Sequence, residues 1–226
     1  MSKLILLRHG QSLWNKKNIF TGWVDVPLSE IGINEALNAG IQLKDISIDK
    51  VYTSVQIRAI QTALLVLSKN NYGKTPVIIH SKGKMSKWAV IYDEKTKADI
   101  IPVIKDWHLN ERYYGKLQGK NKTHIAKVYG KELVHQWRRS YDISPPRGEC
   151  LRDTSKRTIP FFRSKIIDNL KDCKDILVSA HGNSLRSIIM YIEKLSKKEV
   201  LELEISTGKP IIYNYNNGKL IKSELF

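Results

Sequence analysis

Two histidine-glycine pairs, Arg8-His9-Gly10 and His181-Gly182-Asn183, each follow a short apolar run, residues 3–7 (KLILL) and residues 176–180 (ILVSA). A neutral imidazole nitrogen can attack phosphorus and become a phosphohistidine. Its other ring nitrogen then needs a partner that fixes the tautomer. Arg8 can fork onto phosphate oxygens, which lysine cannot do bidentately. Gly10 lets backbone approach closely. With two histidines beside one phosphoryl group, one would carry the group and the other, protonated, would stabilise the charge on its oxygens in the transition state. Transfer to a hydroxyl also needs an acid/base. Glu111, between Asn110 and Arg112 in LNERYYG, has the right setting. Arg138-Arg139 in QWRRSYD form an anion clamp, although adjacent arginines on a helix point apart, so one of them is expected to be structural. Metal binding would need a third ligand beside the two histidines; none is evident, and His80, His108, His124 and His135 are scattered.

These residues must be brought together by elements the sequence also suggests. Residues 3–7 and 176–180 read as buried strands emptying into loops. Residues 49–54 read as a third such strand, ending at Ser54 with Arg58 close behind, and IIPVI before Glu111 as another. Ser29 is a candidate N-cap for a helix running to Leu43, with Ile33, Leu37 and Ile41 at helical spacing. Helices are also expected over about 57–67 and about 185–195. Residues 211–215 and 219–222 around Asn216-Asn217-Gly218 read as a closing hairpin. Strands alternating with helices predict a three-layer α/β/α fold with a mostly parallel central sheet, in one domain over 1–226. Ligands in such sheets bind beyond the carboxyl ends of the strands. Within residues 72–104, TPVIIHS and WAVIYDEK look like a β-hairpin added to this plan as a surface elaboration.

Composition narrows the class. The chain has 226 residues, 42% of them hydrophobic, enough for a well-buried core. No apolar run approaches a membrane span, and the start reads as a strand rather than a signal peptide. Cys150 and Cys173 make no disulfide or metal pattern, as expected of reduced thiols in the cytoplasm. The net charge is +16. The basic residues are spread along the chain with no nucleic-acid motif, so a lysine-rich solvated surface accounts for most of it, and focusing of small phosphate anions is the functional alternative.

Taken together, RHGQSLWN, FTGWVDVPLSE, YTSVQIRAIQT, LNERYYGKLQG, QWRRSYD with Pro145-Pro146, AHGNSLR and TGKPIIY resemble, in order and over nearly the whole chain, the cofactor-dependent phosphoglycerate mutases of the histidine phosphatase superfamily. The resemblance implies their fold and a phosphohistidine enzyme interconverting 3- and 2-phosphoglycerate in glycolysis and gluconeogenesis, primed by 2,3-bisphosphoglycerate and needing no metal. It casts His9 as nucleophile, Arg8, Asn15, Arg58 and His181 as the phosphate shell, and Glu111 as acid/base. Ser12, Thr21, Gly22, Arg112, Tyr113, Tyr114, Lys122, Arg138, Arg139, Gly182 and Asn183 fall at its substrate-contacting positions. A homodimer is the family habit.

The chain departs from that pattern at Gln11, in a short segment between Pro146 and Glu149, in the residues 72–104, and in a sequence that stops at Phe226 soon after the last hairpin. A more open site would admit water to a phosphohistidine and raise hydrolytic leakage. The rival readings are a bisphosphoglycerate mutase or phosphatase on the same scaffold, a catalytically dead binding protein, and a nucleic-acid binder. Ser12 favours the glycolytic enzyme over the first, and the presence of His9, Arg58, Glu111 and His181 argues against the second.

Overall fold

In the computed structural model the residues described are 2–223, so the expected short end beyond the last hairpin, at 224–226, lies outside them. Seven strands lie in one sheet: β1 (Ser2–Arg8), β2 (Lys50–Thr53), β3 (Thr75–Ile79), β4 (Ile100–Lys105), β5 (Ile176–Ala180), β6 (Pro210–Asn216) and β7 (Lys219–Lys222). Their order is β3-β4-β2-β5-β1-β6-β7. The first five pair in parallel, and β6 and β7 close one edge antiparallel. The helices, in chain order, are α1 (Leu13–Lys16), α2 (Glu30–Leu43), α3 (Ile57–Leu67), α4 (Met85–Trp88), α5 (Glu94–Ala98), α6 (Lys122–Tyr129), α7 (Lys131–Arg139), α8 (Leu151–Phe161), α9 (Asp168–Lys171), α10 (Gly182–Glu193) and α11 (Glu199–Glu202).

The apolar runs become central strands because both sheet faces are covered. Along β1, Leu4 and Leu6 pack into a cluster with Phe162, Leu185 and Ile188. Ile5 and Leu7 point the other way, against Ala39, Leu43, Ala63 and Val66 of α2 and α3. Burying each such leucine or isoleucine contributes roughly 1.5–3 kcal/mol. The three expected layers are therefore present. A third, smaller cluster of Phe20, Leu117, Ile125, Val134 and Trp137 holds α6 and α7 together.

Three details differ from the sequence reading. Strand 75–79 exists, but it pairs in parallel with β4, Thr75 opposite Ile100, and not with WAVIYDEK. A parallel partner demands a crossover of a dozen residues or more, and residues 80–99 supply it, with α4 and α5 in place of the expected hairpin strand. Trp88 and Tyr92 in that crossover are 71% and 82% exposed, so its apolar residues do not mark a buried strand. In α2, Ser29 does cap the helix, accepting a bond from the Gly32 N–H at 3.2 Å. The face turned inward, however, carries Gly32, Ala36, Ala39, Gly40 and Leu43, and Ile33 and Ile41 face solvent. Close helix-sheet packing selects the small residues over the larger isoleucines. Finally, α10 begins at Gly182 rather than Leu185, because the His181 N–H donates to Ser184 Oγ at 3.1 Å and starts the helix directly off the strand. The closing hairpin is as expected, with Asn217 and Gly218 at φ 47° and 80° in its two-residue turn.

Candidate active site

Strand order assembles the chemistry. β1 and β5 are neighbours with Arg8 opposite Ala180, so the residues that follow them emerge side by side. The His9 N–H continues the ladder to the Ala180 carbonyl at 3.0 Å. The His9 and His181 ring centroids lie 4.8 Å apart. β2 flanks β5 on its other side and delivers Ser54, whose Oγ lies 2.7 Å from His181 Nε2. β4 flanks β2 and leads into the Glu111 loop.

His9 Nδ1 sits 2.7 Å from the Gly10 carbonyl oxygen. A carbonyl only accepts, so Nδ1 carries the proton and Nε2 keeps its lone pair. Burial first, then the charges of Arg58 and Arg8, hold His9 well below its ordinary pKa, with the Gly10 carbonyl opposing them. The ring is thus neutral, with a lone pair on Nε2 that could attack an electrophile. Gly10 is required by its surroundings: a Cβ there would meet the Gly32 carbonyl oxygen at 2.2 Å, and one on Gly32 would meet the Gln11 carbonyl oxygen at 2.0 Å. Loop and helix α2 touch backbone to backbone, and Glu35 of α2 accepts the Gln11 N–H at 2.7 Å.

His181 is also held well below its ordinary pKa, by burial and then by Arg58, His9, Arg157 and Arg8. The sequence reading expects a protonated ring. Burial, and then the surrounding cations, favour the neutral form; a phosphoryl dianion would supply the opposite field. Its Nδ1 is buried without a partner, as is Arg8 Nε. Arg8 spends Nη1 on the Ile205 carbonyl at 2.8 Å. Arg58, on α3, is 1% exposed and donates to the Gly22 and Val24 carbonyls at 2.9 and 3.0 Å. Burial lowers it to about 10, against the raising influence of Glu111 and Asp25, so it stays charged at neutral pH.

Glu111 is held by both its backbone and its carboxylate. Its N–H donates to Gln56 Oε1 at 2.9 Å. Its carbonyl accepts from Trp23 Nε1 at 2.6 Å and Arg157 Nη2 at 2.9 Å. Arg157 also donates to the His108 and Asn110 carbonyls and pairs with Glu149, which in turn accepts the Tyr113 N–H. Glu111 Oε1 accepts from the Arg112 N–H at 2.7 Å and from Asn183 Nδ2 at 2.8 Å. Burial alone would raise this carboxyl; the hydrogen bonds from Arg112 and Asn183, with the charges of Arg8 and Arg58, bring it below its ordinary value. It is a carboxylate, ready to accept a proton.

One pocket of about 160 Å³ collects Arg8, His9, Asn15, Thr21, Gly22, Arg58, Glu111, Tyr114, Lys122, Arg138, Arg139, Gly182 and Asn183. Both arginines of the clamp line it, so neither is purely structural. Lys122 is pushed down to about 8 by burial and by Arg138 and Arg8, against Glu111. His181 is fully buried beside His9, and Ser12 is fully buried with its Oγ 2.9 Å from Asn15 Oδ1. Arg112 and Tyr113 are not on the wall. Arg112 is fully buried with Nη1 on the Trp137 carbonyl at 2.9 Å, and Tyr113 packs edge-on against Trp23. Sequence reasoning missed Ile19, Arg186 and Glu204, which complete the lining. Arg186 was within reach, one helical turn after Asn183 in AHGNSLR; nothing in the sequence marks Glu204. His9 itself is 3% exposed, although it lines the pocket. Among the described residues no group of three or more His, Cys, Asp or Glu could hold a metal ion, and no helix is long and apolar enough to cross a membrane. Cys150 and Cys173 are free thiols.

Known proteins resemble this chain in sequence and in fold. The sequence matches the histidine phosphatase superfamily (branch 1) over residues 4–82 and 89–225. It is 53% identical to the 2,3-bisphosphoglycerate-dependent phosphoglycerate mutase of Protochlamydia amoebophila, over 99% of this chain and all of that one. The enzyme so named from Methanococcus vannielii is 52% identical over 97% of this chain and 93% of its own. Among solved structures, Bacillus stearothermophilus YhfR superposes with a TM-score of 0.76 at 22% identity, covering 99% of this chain and 96% of that one, a likeness of fold. The chain belongs to the histidine phosphatase superfamily and, within it, to the 2,3-bisphosphoglycerate-dependent phosphoglycerate mutase family.

Proposed function

We propose that this protein interconverts 3-phosphoglycerate and 2-phosphoglycerate in glycolysis and gluconeogenesis through a phosphohistidine at His9. The observation that carries the reading is the pairing of a neutral, Nδ1-protonated His9 with an ionised Glu111 in one arginine-rich pocket. When bound, 2,3-bisphosphoglycerate supplies the phosphoryl group that loads His9. The residues fit it: buried donors on Arg8, Arg112 and Arg139 and the His181 Nδ1 have no protein partner, and Lys122 and Arg138 add charge.

His9 Nε2 attacks phosphorus, forming a P–N bond as a P–O bond breaks. Arg8 and Arg58 hold the phosphoryl oxygens, and the His181 ring, once a dianion lies beside it, gains a proton and donates from Nδ1. In the transfer to substrate, Glu111 takes the proton of the attacking hydroxyl as the P–N bond breaks and a new P–O bond forms. On the return it gives that proton back to the departing oxygen. Arg138 and Arg139 hold the anionic group away from the reacting phosphate, and Asn15, Thr21, Gly22, Tyr114, Gly182 and Asn183 shape the space between. Ser12, Arg112 and Tyr113 act from behind the wall, by holding Asn15, the α7 end and the Trp23 side.

An enolase-coupled assay with and without 2,3-bisphosphoglycerate tests the reaction. Turnover is expected to depend on priming and to survive EDTA. Intact mass after incubation with the bisphosphate should show one added acid-labile phosphoryl group, absent in His9→Ala; labelling of that variant would remove the nucleophile assignment. A cytoplasmic homodimer belongs to the same reading and rests on the resemblance; light scattering giving a particle of twice the chain mass checks the dimer.

A further inference from the structure

One carboxylate lines the outer part of the pocket, where the charges are otherwise positive. Glu204 Oε1 lies 2.6 Å from Arg139 Nη2, and its Oε2 lies 4.0 Å from Arg186 Nη2. The Glu204 side chain is 69% exposed, whereas those of Arg139 and Arg186 are 22% and 10% exposed. The backbone on either side of it is pinned by pocket arginines: the Leu203 carbonyl accepts from Arg186 Nε at 3.0 Å, and the Ile205 carbonyl from Arg8 Nη1 at 2.8 Å. The main chain is therefore fixed at the pocket mouth while the carboxylate is free to swing. Arg139 keeps a second, buried donor, Nη1, with no partner. Half of a fork that could grip an incoming anion is thus occupied by the protein's own carboxylate, and half is unused.

We propose that Glu204 is a specificity-determining residue, an internal carboxylate that competes with the substrate's outer anionic group for Arg139. This rests on the mutase reading of the pocket. A ligand that grips Arg139 with both prongs of the fork must displace Glu204 into solvent, and any negative charge it carries near Arg186 meets the carboxylate's repulsion. The penalty grows with ligand charge, so Glu204 weakens the bisphosphate more than the monophosphate. The protein thereby keeps its most highly charged ligand from binding too tightly to be released.

The test is binding by calorimetry in a His9→Ala background, where no phosphoryl transfer obscures it, with 3-phosphoglycerate and 2,3-bisphosphoglycerate as probes. Glu204→Gln and Glu204→Ala should both tighten the monophosphate about twofold and the bisphosphate about fivefold, the range expected for releasing one exposed ion pair. Glu202→Gln, on the exposed neighbouring helix, should bind as the parent does. If Glu204 instead positions Arg139 for the substrate, Glu204→Ala binds more weakly; that result, or affinities unchanged in both variants, overturns the inference. Failure of the parent to bind either phosphoglycerate would overturn the mutase reading and this inference with it.

Discussion

At the scale of residues, two buried neutral histidines make an energetic demand. His9 and His181 are both held well below the ordinary 6.5, chiefly by burial. When the chain unfolds they return to that value. Below it the unfolded chain takes up protons that the folded one refuses, so stability falls as pH falls, by about 1.4 kcal/mol per pH unit for each ring. Above 6.5 this contribution is fully present. We expect urea unfolding free energies to drop from about pH 7 to about pH 5.5, with a shallower slope in His9→Gln. An unchanged slope in that variant would show that His9 titrates normally in the fold. Arg112 teaches a complementary point. Its position within LNERYYG implies contact with substrate, yet its buried Nη1 holds the end of α7 through the Trp137 carbonyl. Its Nε and Nη2 stay buried without a protein partner, beside the helix that carries Arg138 and Arg139.

At the scale of elements, α2 positions the His9 loop by steric contact. Gly32 is a helical residue, and in an exposed helix Gly→Ala stabilises by about 1 kcal/mol. Here the added Cβ would sit 2.0 Å from the Gln11 carbonyl oxygen, which is backbone and cannot swing aside. Gly32→Ala is therefore expected to destabilise by about 2 kcal/mol or more and to lower kcat, because α2 and the loop after β1 must separate. A variant more stable than the parent in thermal melts would refute the contact. The loop carrying Glu111 is placed differently, by hydrogen bonds. Arg157 on α8 gathers the His108, Asn110 and Glu111 carbonyls, and its charge is met by Glu149. Both devices fix the reacting groups before substrate arrives, the condition for a low reorganisation cost.

At the scale of the whole molecule, one sheet carries the active-site residues, while the small cluster around Phe20 and Trp137 brings α6 and α7 over its end. We propose that the chain is one domain, with this cluster folding together with the sheet. Urea unfolding followed by far-ultraviolet circular dichroism and by tryptophan fluorescence should give coincident transitions; two resolved steps would divide the chain. The net charge of +16 fits an anionic substrate. Its local expression is the pocket, where six cationic side chains face two carboxylates, Glu111 and Glu204.

The sequence by itself determined the candidate catalytic residues, which lie together in the fold, and the parallel sheet. His9, Arg58, Glu111 and His181 each follow or adjoin an apolar run, and a run buried on both faces leaves little choice but a central strand ending in a loop. Those signals are local, and they survive folding unchanged. The tertiary structure decided what depends on partners. Whether residues 75–79 pair with 88–95 or with β4 is a long-range choice, made by the sheet edge that β4 offers. The buried face of α2 is set by how closely a helix must approach the loop after β1, so small residues displaced the more hydrophobic isoleucines. Glu204 is the clearest case. A glutamate in an ordinary charged stretch became a pocket residue because Arg8 and Arg186, distant in sequence, hold the backbone on either side of it.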